Sequence, residues 1–99
     1  MAWRIYDEAV ELVNLRYRYF PRIFRWRGQR FEVEAVGHCW TVNRRGRRGR
    51  VQRHFFQVRC AEGDFELYQE IRTGTWHLRR ACLADGRVSL ARVVAAAWQ

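Results

Sequence analysis

The chain has 99 residues, 48% of them apolar and 15% aromatic, with a net charge of +9 at neutral pH. That length and apolar share suit one small globular domain (1–99) with a modest core and exclude a disordered chain. No apolar run reaches membrane-spanning length, and Met1–Glu8 lacks the apolar stretch of a signal peptide, so the cytoplasm is the expected compartment and no membrane partner is expected.

All 19 basic residues are arginine and none is lysine. So complete a bias reflects composition, so the choice of arginine says little and its placement says more. Residues 1–15 hold one Arg and three acids, net −2; residues 16–59 hold thirteen Arg and two Glu, net +11; residues 60–99 hold five of each, net 0. The positive charge is regional, as a binding face requires.

Residues 1–15 form an N-terminal segment in which 5–12 suits either a helical turn or the start of a strand. Val13–Tyr19 alternates with period two and reads as a strand, which Pro21 should end or confine to a sheet edge. Phe24–Arg27 and Arg30–Ala35 alternate around a two-residue Gly28-Gln29 turn, predicting Trp26 opposite Phe31 and Arg25 opposite Glu32. Gln52–Cys60 is predicted to turn at Ala61–Asp64 and return through Ile71, pairing Arg59 with Glu66 and Val58 with Leu67. A third turn, Arg72–Thr75, leads into Trp76–Arg80, pairing Ile71 with Trp76 and setting Arg79 opposite Tyr68. Val58, Phe65, Leu67, Ile71, Trp76 and Leu78 then share a core face, and Trp26, Phe31 and Trp40 are expected to join the core. Ser89–Trp98 reads as a short helix with an apolar stripe of Leu90, Val93, Val94, Ala97 and Trp98. The expected fold is therefore mainly β: a small antiparallel meander or half-barrel of five to six strands over 16–82, with a C-terminal helix over 86–98.

Enzymatic readings find little support. Without lysine there is neither a P-loop lysine nor a Schiff base, and the one serine, Ser89, lacks a G-x-S-x-G context. His38 and Cys39 are neighbours on a strand and point to opposite faces. His38, Cys39, His54, Cys60, His77 and Cys82 show no zinc-ligand spacing, and three cysteines cannot all pair, so free buried thiols and no metal or cofactor are expected. Glu66 and Glu70 with His77 could form a carboxylate site, but a cross-strand ion pair between Glu70 and His77 explains them more simply.

Asn43–Arg53 (NRRGRRGRVQR) reads as a basic loop joining two β-units. Arg16, Arg18, Arg22, Arg44, Arg45, Arg47, Arg48, Arg50 and Arg53 lack an evident acidic partner, and the glycines let a backbone approach phosphate. With Tyr17, Tyr19, Phe55 or Tyr68 as stacking surfaces, these residues suggest a non-catalytic accessory module that binds nucleic acid, DNA or RNA. Two alternatives stand beside it. The loop is a solvated connection that keeps an edge soluble, or the domain docks on a larger enzyme or on itself through a sheet edge or the helix face of Leu90, Val94 and Trp98.

Phe24–Val33, then Cys39-Trp40, Phe55–Arg59, Phe65–Tyr68 and Gly74–Leu78, resemble a small uncharacterised bacterial family. Its pattern is F-x-W-x-G-x-x-[YF]-x-V, a tryptophan, an aromatic-rich strand, Y-E-L-Y and W-x-L. The resemblance spans about residues 21–81; the 43–53 loop and the tail from about 84 depart from it. It implies genes near those of translesion DNA polymerases, hence a link to DNA repair or replication and a polymerase as a possible partner, and it brings no catalytic residues.

Overall fold

A computed structural model describes residues 2–47 and 49–84. Six strands follow in order: β1 (Arg4–Arg16), β2 (Phe20–Trp26), β3 (Gln29–Gly46), β4 (Gly49–Cys60), β5 (Gly63–Glu70) and β6 (Trp76–Leu83). Each pairs antiparallel with its neighbour in sequence, and β1 pairs with β6, so the sheet closes into a barrel rather than an open meander. The closing strand is the segment whose alternation is hardest to read. A register shift between Ile5 and Glu8 sets Asp7 at φ 54°, and this bulge breaks the period-two pattern. The predicted helix over 86–98, with Leu90, Val94 and Trp98, lies outside the described residues, as does Arg48.

A six-stranded barrel is narrow, so side chains fill it. Phe24, Trp26, Phe31, Phe56, Val58, Phe65, Leu67, Trp76 and Leu78 form its buried interior, with Tyr6, Val10 and Leu12 packed against them from the closing strand. Phe24 stacks on Phe31 at 5.2 Å, and Phe65 meets both rings within 5.4 Å. Such ring pairs add about 0.5–1.5 kcal/mol each beyond the area they bury. Two residues expected inside are not there. Trp40 faces outward and stacks on Phe55 at 5.2 Å, and Ile71 lies exposed in the β5–β6 turn.

Each of the three hairpins with a predicted register turns one residue earlier than alternation alone suggests. Arg27 (φ 53°) and Gly28 (φ 75°) make the β2–β3 turn, so Phe24 opposes Phe31 and Arg25 opposes Arg30. Cys60 opposes Gly63, which brings Arg59 against Asp64; Gln69 opposes Trp76, which brings Tyr68 against His77. A one-residue slip in a turn moves the cross-strand partner by two and leaves the inward set unchanged, because the face depends only on parity along the strand. Apart from Trp40 and Ile71, the predicted core therefore survives while the predicted ion pairs change.

The Val13–Tyr19 strand is broken as well. β1 ends at Arg16, Tyr17 and Arg18 turn at φ 55° and 58°, and the Tyr19 amide donates to the Arg16 carbonyl at 3.1 Å. Pro21 does not end a strand. It lies buried within β2 opposite Leu15, where β2 has no rung to β3, a ladder that reaches only to Ile23–Glu32. Cys60 is buried and Cys82 half-buried, but Cys39 is exposed, against the expectation that all three thiols are covered.

Residues 43–53 are not a loop. β3 and β4 stay paired through Asn43–Gln52, Arg44–Val51, Arg45–Arg50 and Gly46–Gly49, and Arg47 lies in the turn beyond the last rung. From 43 to 50 the sequence holds no apolar residue, so nothing alternates there to announce a strand. Register shifts between Val33 and Ala35 and between Val36 and His38 bend β3 as the arm leaves the barrel.

Candidate nucleic-acid interface

In an up-and-down barrel, successive connections alternate between the two ends. The β1–β2, β3–β4 and β5–β6 connections share one end; β2–β3 and β4–β5 share the other. Arg16 and Arg18, the arm arginines and Arg72, distant in sequence, are thus gathered at one end by topology alone.

Most of the described arginines away from that end have partners. Arg27 grips Glu8 with Nε to Oε1 at 2.9 Å and Nη2 to Oε2 at 2.6 Å, while Trp26 Nε1 donates to the same Oε1 at 2.8 Å. These bonds, Arg27's first, hold the Glu8 carboxyl down to about 2, and the Arg27 guanidinium lies 4.9 Å from the Trp26 ring and 5.2 Å from the Tyr6 ring. Arg59 meets Asp64 at 3.2 Å, and Arg30 lies 3.7 Å from Glu32. Arg79 (3.3 Å) and Arg80 (3.1 Å) close over Glu66, whose side chain is 2% exposed, and Arg80 also rests 4.6 Å from the Trp3 ring. A buried carboxylate needs that coverage, since an unpaired one would be strongly destabilising.

The basic end differs. Arg16, Arg18, Arg22, Arg44, Arg45, Arg47, Arg50 and Arg72 make no ion pair with any described residue. Of the described unpaired arginines, only Arg4 and Arg25 lie elsewhere. A concavity of about 510 Å³ joins Arg47 and Arg50 of the arm to Arg72 and Thr73 of the β5–β6 turn. Arg18 lines another with Gly74 and Thr75 of that turn, and Arg16 and Arg22 line a third beside Glu34. Tyr19 packs against Phe56 at 5.2 Å and His54 at 6.0 Å, fastening the β1–β2 turn to the base of the arm.

Arg53 is the one predicted site residue that this arrangement removes. It donates to Glu70 at 2.9 Å and lies 4.9 Å from the Tyr68 ring, and Glu70 raises its pKa. Arg72 is the one that alternation missed. It sits in a turn with no local basic run, and only the rule of alternating ends could have joined it to the arm. Of the proposed stacking surfaces, Tyr17 (84% exposed) and Tyr19 (42%) are open to solvent, but Phe55 (7%) and Tyr68 (6%) are not. These two are covered on the outer face by the ladder Trp40–Phe55–Tyr68–His77, and burial, reinforced by Asp7 and Glu70, pushes the Tyr68 hydroxyl up.

The carboxylate constellation does not assemble. Glu66 is held by Arg79 and Arg80, Glu70 by Arg53, and His77 Nε2 shares a hydrogen bond of 2.9 Å with Thr75 Oγ1. Among the described residues no three His, Cys, Asp or Glu side chains converge as a metal site would require, and no helix is long and apolar enough to cross a membrane.

No curated protein and no solved structure matches the chain significantly. The family match runs over residues 1–82, taking in β1 as well as the 21–81 span of the sequence resemblance, and the chain belongs to the family described as Domain of unknown function (DUF6504).

Proposed function

We propose that this domain is a non-catalytic module that binds nucleic acid through the basic end of the barrel. The observation that carries the proposal is the segregation of arginines by partner: those elsewhere are mostly held by carboxylates, and eight at this end have no such partner among the described residues. Charge without an internal counterion is free to displace the ions condensed on a phosphate backbone. The Arg45–Arg50 rung sets like charges directly opposite each other with no described carboxylate beside either, whereas in the Arg25–Arg30 rung Arg30 has Glu32 at 3.7 Å. Tyr17, exposed between Arg16 and Arg18, gives the same end a ring for a base or sugar. The resemblance to a family encoded near translesion polymerases favours a role in DNA repair or replication.

Labelled single- and double-stranded DNA, titrated at two salt concentrations, tests the proposal. Binding at low salt that weakens steeply as salt rises is expected, since each neutralised phosphate adds about 0.9 to the slope of log K against log salt. No binding at low salt, or affinity indifferent to salt, would overturn it.

A further inference from the structure

We infer that the β3–β4 arm is a two-stranded ribbon that enters the major groove of B-form DNA, with the remaining arginines of the basic end on the flanking phosphates. This rests on the nucleic-acid reading above and narrows it to one form.

Three features of the arm point there. The first is reach. The last bond from the arm to the barrel is the Ile71 amide to the Gln52 carbonyl at 3.0 Å, and β3 has no rung to β2 beyond Glu32. From Gln52 to Gly49 the ribbon therefore extends roughly 10 Å at about 3.4 Å per residue before its turn adds more. A B-DNA major groove is about 8.5 Å deep and about 12 Å wide and admits a two-stranded β-ribbon.

The second feature is charge on both faces. The register sets Arg44, opposite Val51, on one face of the ribbon and the Arg45–Arg50 rung on the other, with Arg47 at the tip. A ribbon lying on a flat anionic surface or along a single strand uses one face only. Arginines on both faces suit a slot with a phosphate wall on each side.

The third is that the ribbon's tip is made to be slender. Gly46 and Gly49 form its last rung, with Gly49 at φ 114°, so no side chain thickens it there. A-form RNA is excluded by the same dimensions, because its major groove is deep but too narrow for side chains to read. Single strands offer no groove at all.

The full chain is tested against three labelled ligands of one sequence and equal phosphate count: duplex DNA, duplex RNA and single-stranded DNA, at one salt concentration. Duplex DNA is expected to bind at least about tenfold tighter than duplex RNA, the difference coming from groove entry over and above phosphate contact. Glucosylated hydroxymethylcytosine, which fills the major groove, should weaken binding, whereas netropsin in the minor groove should not. The variant carrying Arg44→Gln, Arg45→Gln and Arg50→Gln should lose the preference for duplex DNA. Equal affinity for the two duplexes, a preference for single strands, or indifference to glucosylation overturns the groove assignment while salt-dependent binding itself stands. Binding to none of the three overturns both readings.

Discussion

Arg18 and Arg27 make the clearest comparison in the molecule. Both occupy hairpin turns, and both sit at positive φ, 58° and 53°, where a non-glycine residue is strained. At the β2–β3 end, Arg27 is clasped by Glu8 on two atoms and lies over Tyr6 and Trp26, so local contacts hold the strained turn. At the β1–β2 end, Arg18 has no ion-pair partner among the described residues and lies next to a tyrosine left 84% exposed. In a chain whose basic residues are all arginine, residue type carries no functional information. The partner, or its absence, does.

Four substitutions probe this contrast between a closed end and an open one, from the largest expected effect to the smallest. Gly63 turns at φ 146° beside Cys82, and a Cβ there would run into the Cys82 carbonyl oxygen. Gly63→Ala should cost about 2–4 kcal/mol in urea unfolding. Full stability in the variant would mean that the β4–β5 end is looser than described.

Glu66→Gln leaves Arg79 and Arg80 without their buried counter-charge. About 1–2 kcal/mol should be lost, less than for a fully buried pair because both arginines reach solvent. The salt slope for nucleic acid should not change; a steeper one would show that these arginines belong to the interface once released.

Arg18→Gly relieves the left-handed strain and removes one free charge. A gain of up to about 1 kcal/mol in thermal stability is expected together with a several-fold loss of affinity. If stability rises and affinity is untouched, the β1–β2 turn is not part of the interface.

Glu8→Gln acts through pH. The folded carboxyl titrates near 2 against an ordinary 4.5, so the folded chain binds this proton less readily than the unfolded one. Its contribution is therefore complete above about pH 4.5 and is lost as pH falls toward 2. The variant's melting temperature should vary less over that window than the parent's, and identical pH profiles would contradict the clasp.

Much of the barrel was legible in the sequence because inward-facing residues are set by parity. Trp26, Phe31, Val58, Phe65, Leu67, Trp76 and Leu78 can be assigned to the core without knowing any register, and all of them lie there. Register could not be read the same way. Alternation marks Gly28 as a turn residue but cannot show that Arg27 precedes it in the turn, held there by a glutamate 19 positions away. Closure was hidden by the bulge at Asp7, and the arm by the absence of any apolar residue between 43 and 50 to alternate with the polar ones. The candidate site was half legible. The basic run at 44–50 is plain in sequence, but its union with Arg16, Arg18 and Arg72 follows from which connections share an end. The loss of Arg53 to Glu70 follows from a register that the turns decide.

The most direct measurement compares two charge-matched triples: Arg44, Arg45 and Arg50 changed to Gln in the arm, and Arg25, Arg30 and Arg59 changed to Gln away from it. Both remove three positive charges from exposed strand positions. With duplex DNA, the slope of log K against log salt should flatten by roughly 2–3 for the arm triple and by less than about 1 for the other. Equal flattening would mean that only net charge counts, and the basic end would then be no interface.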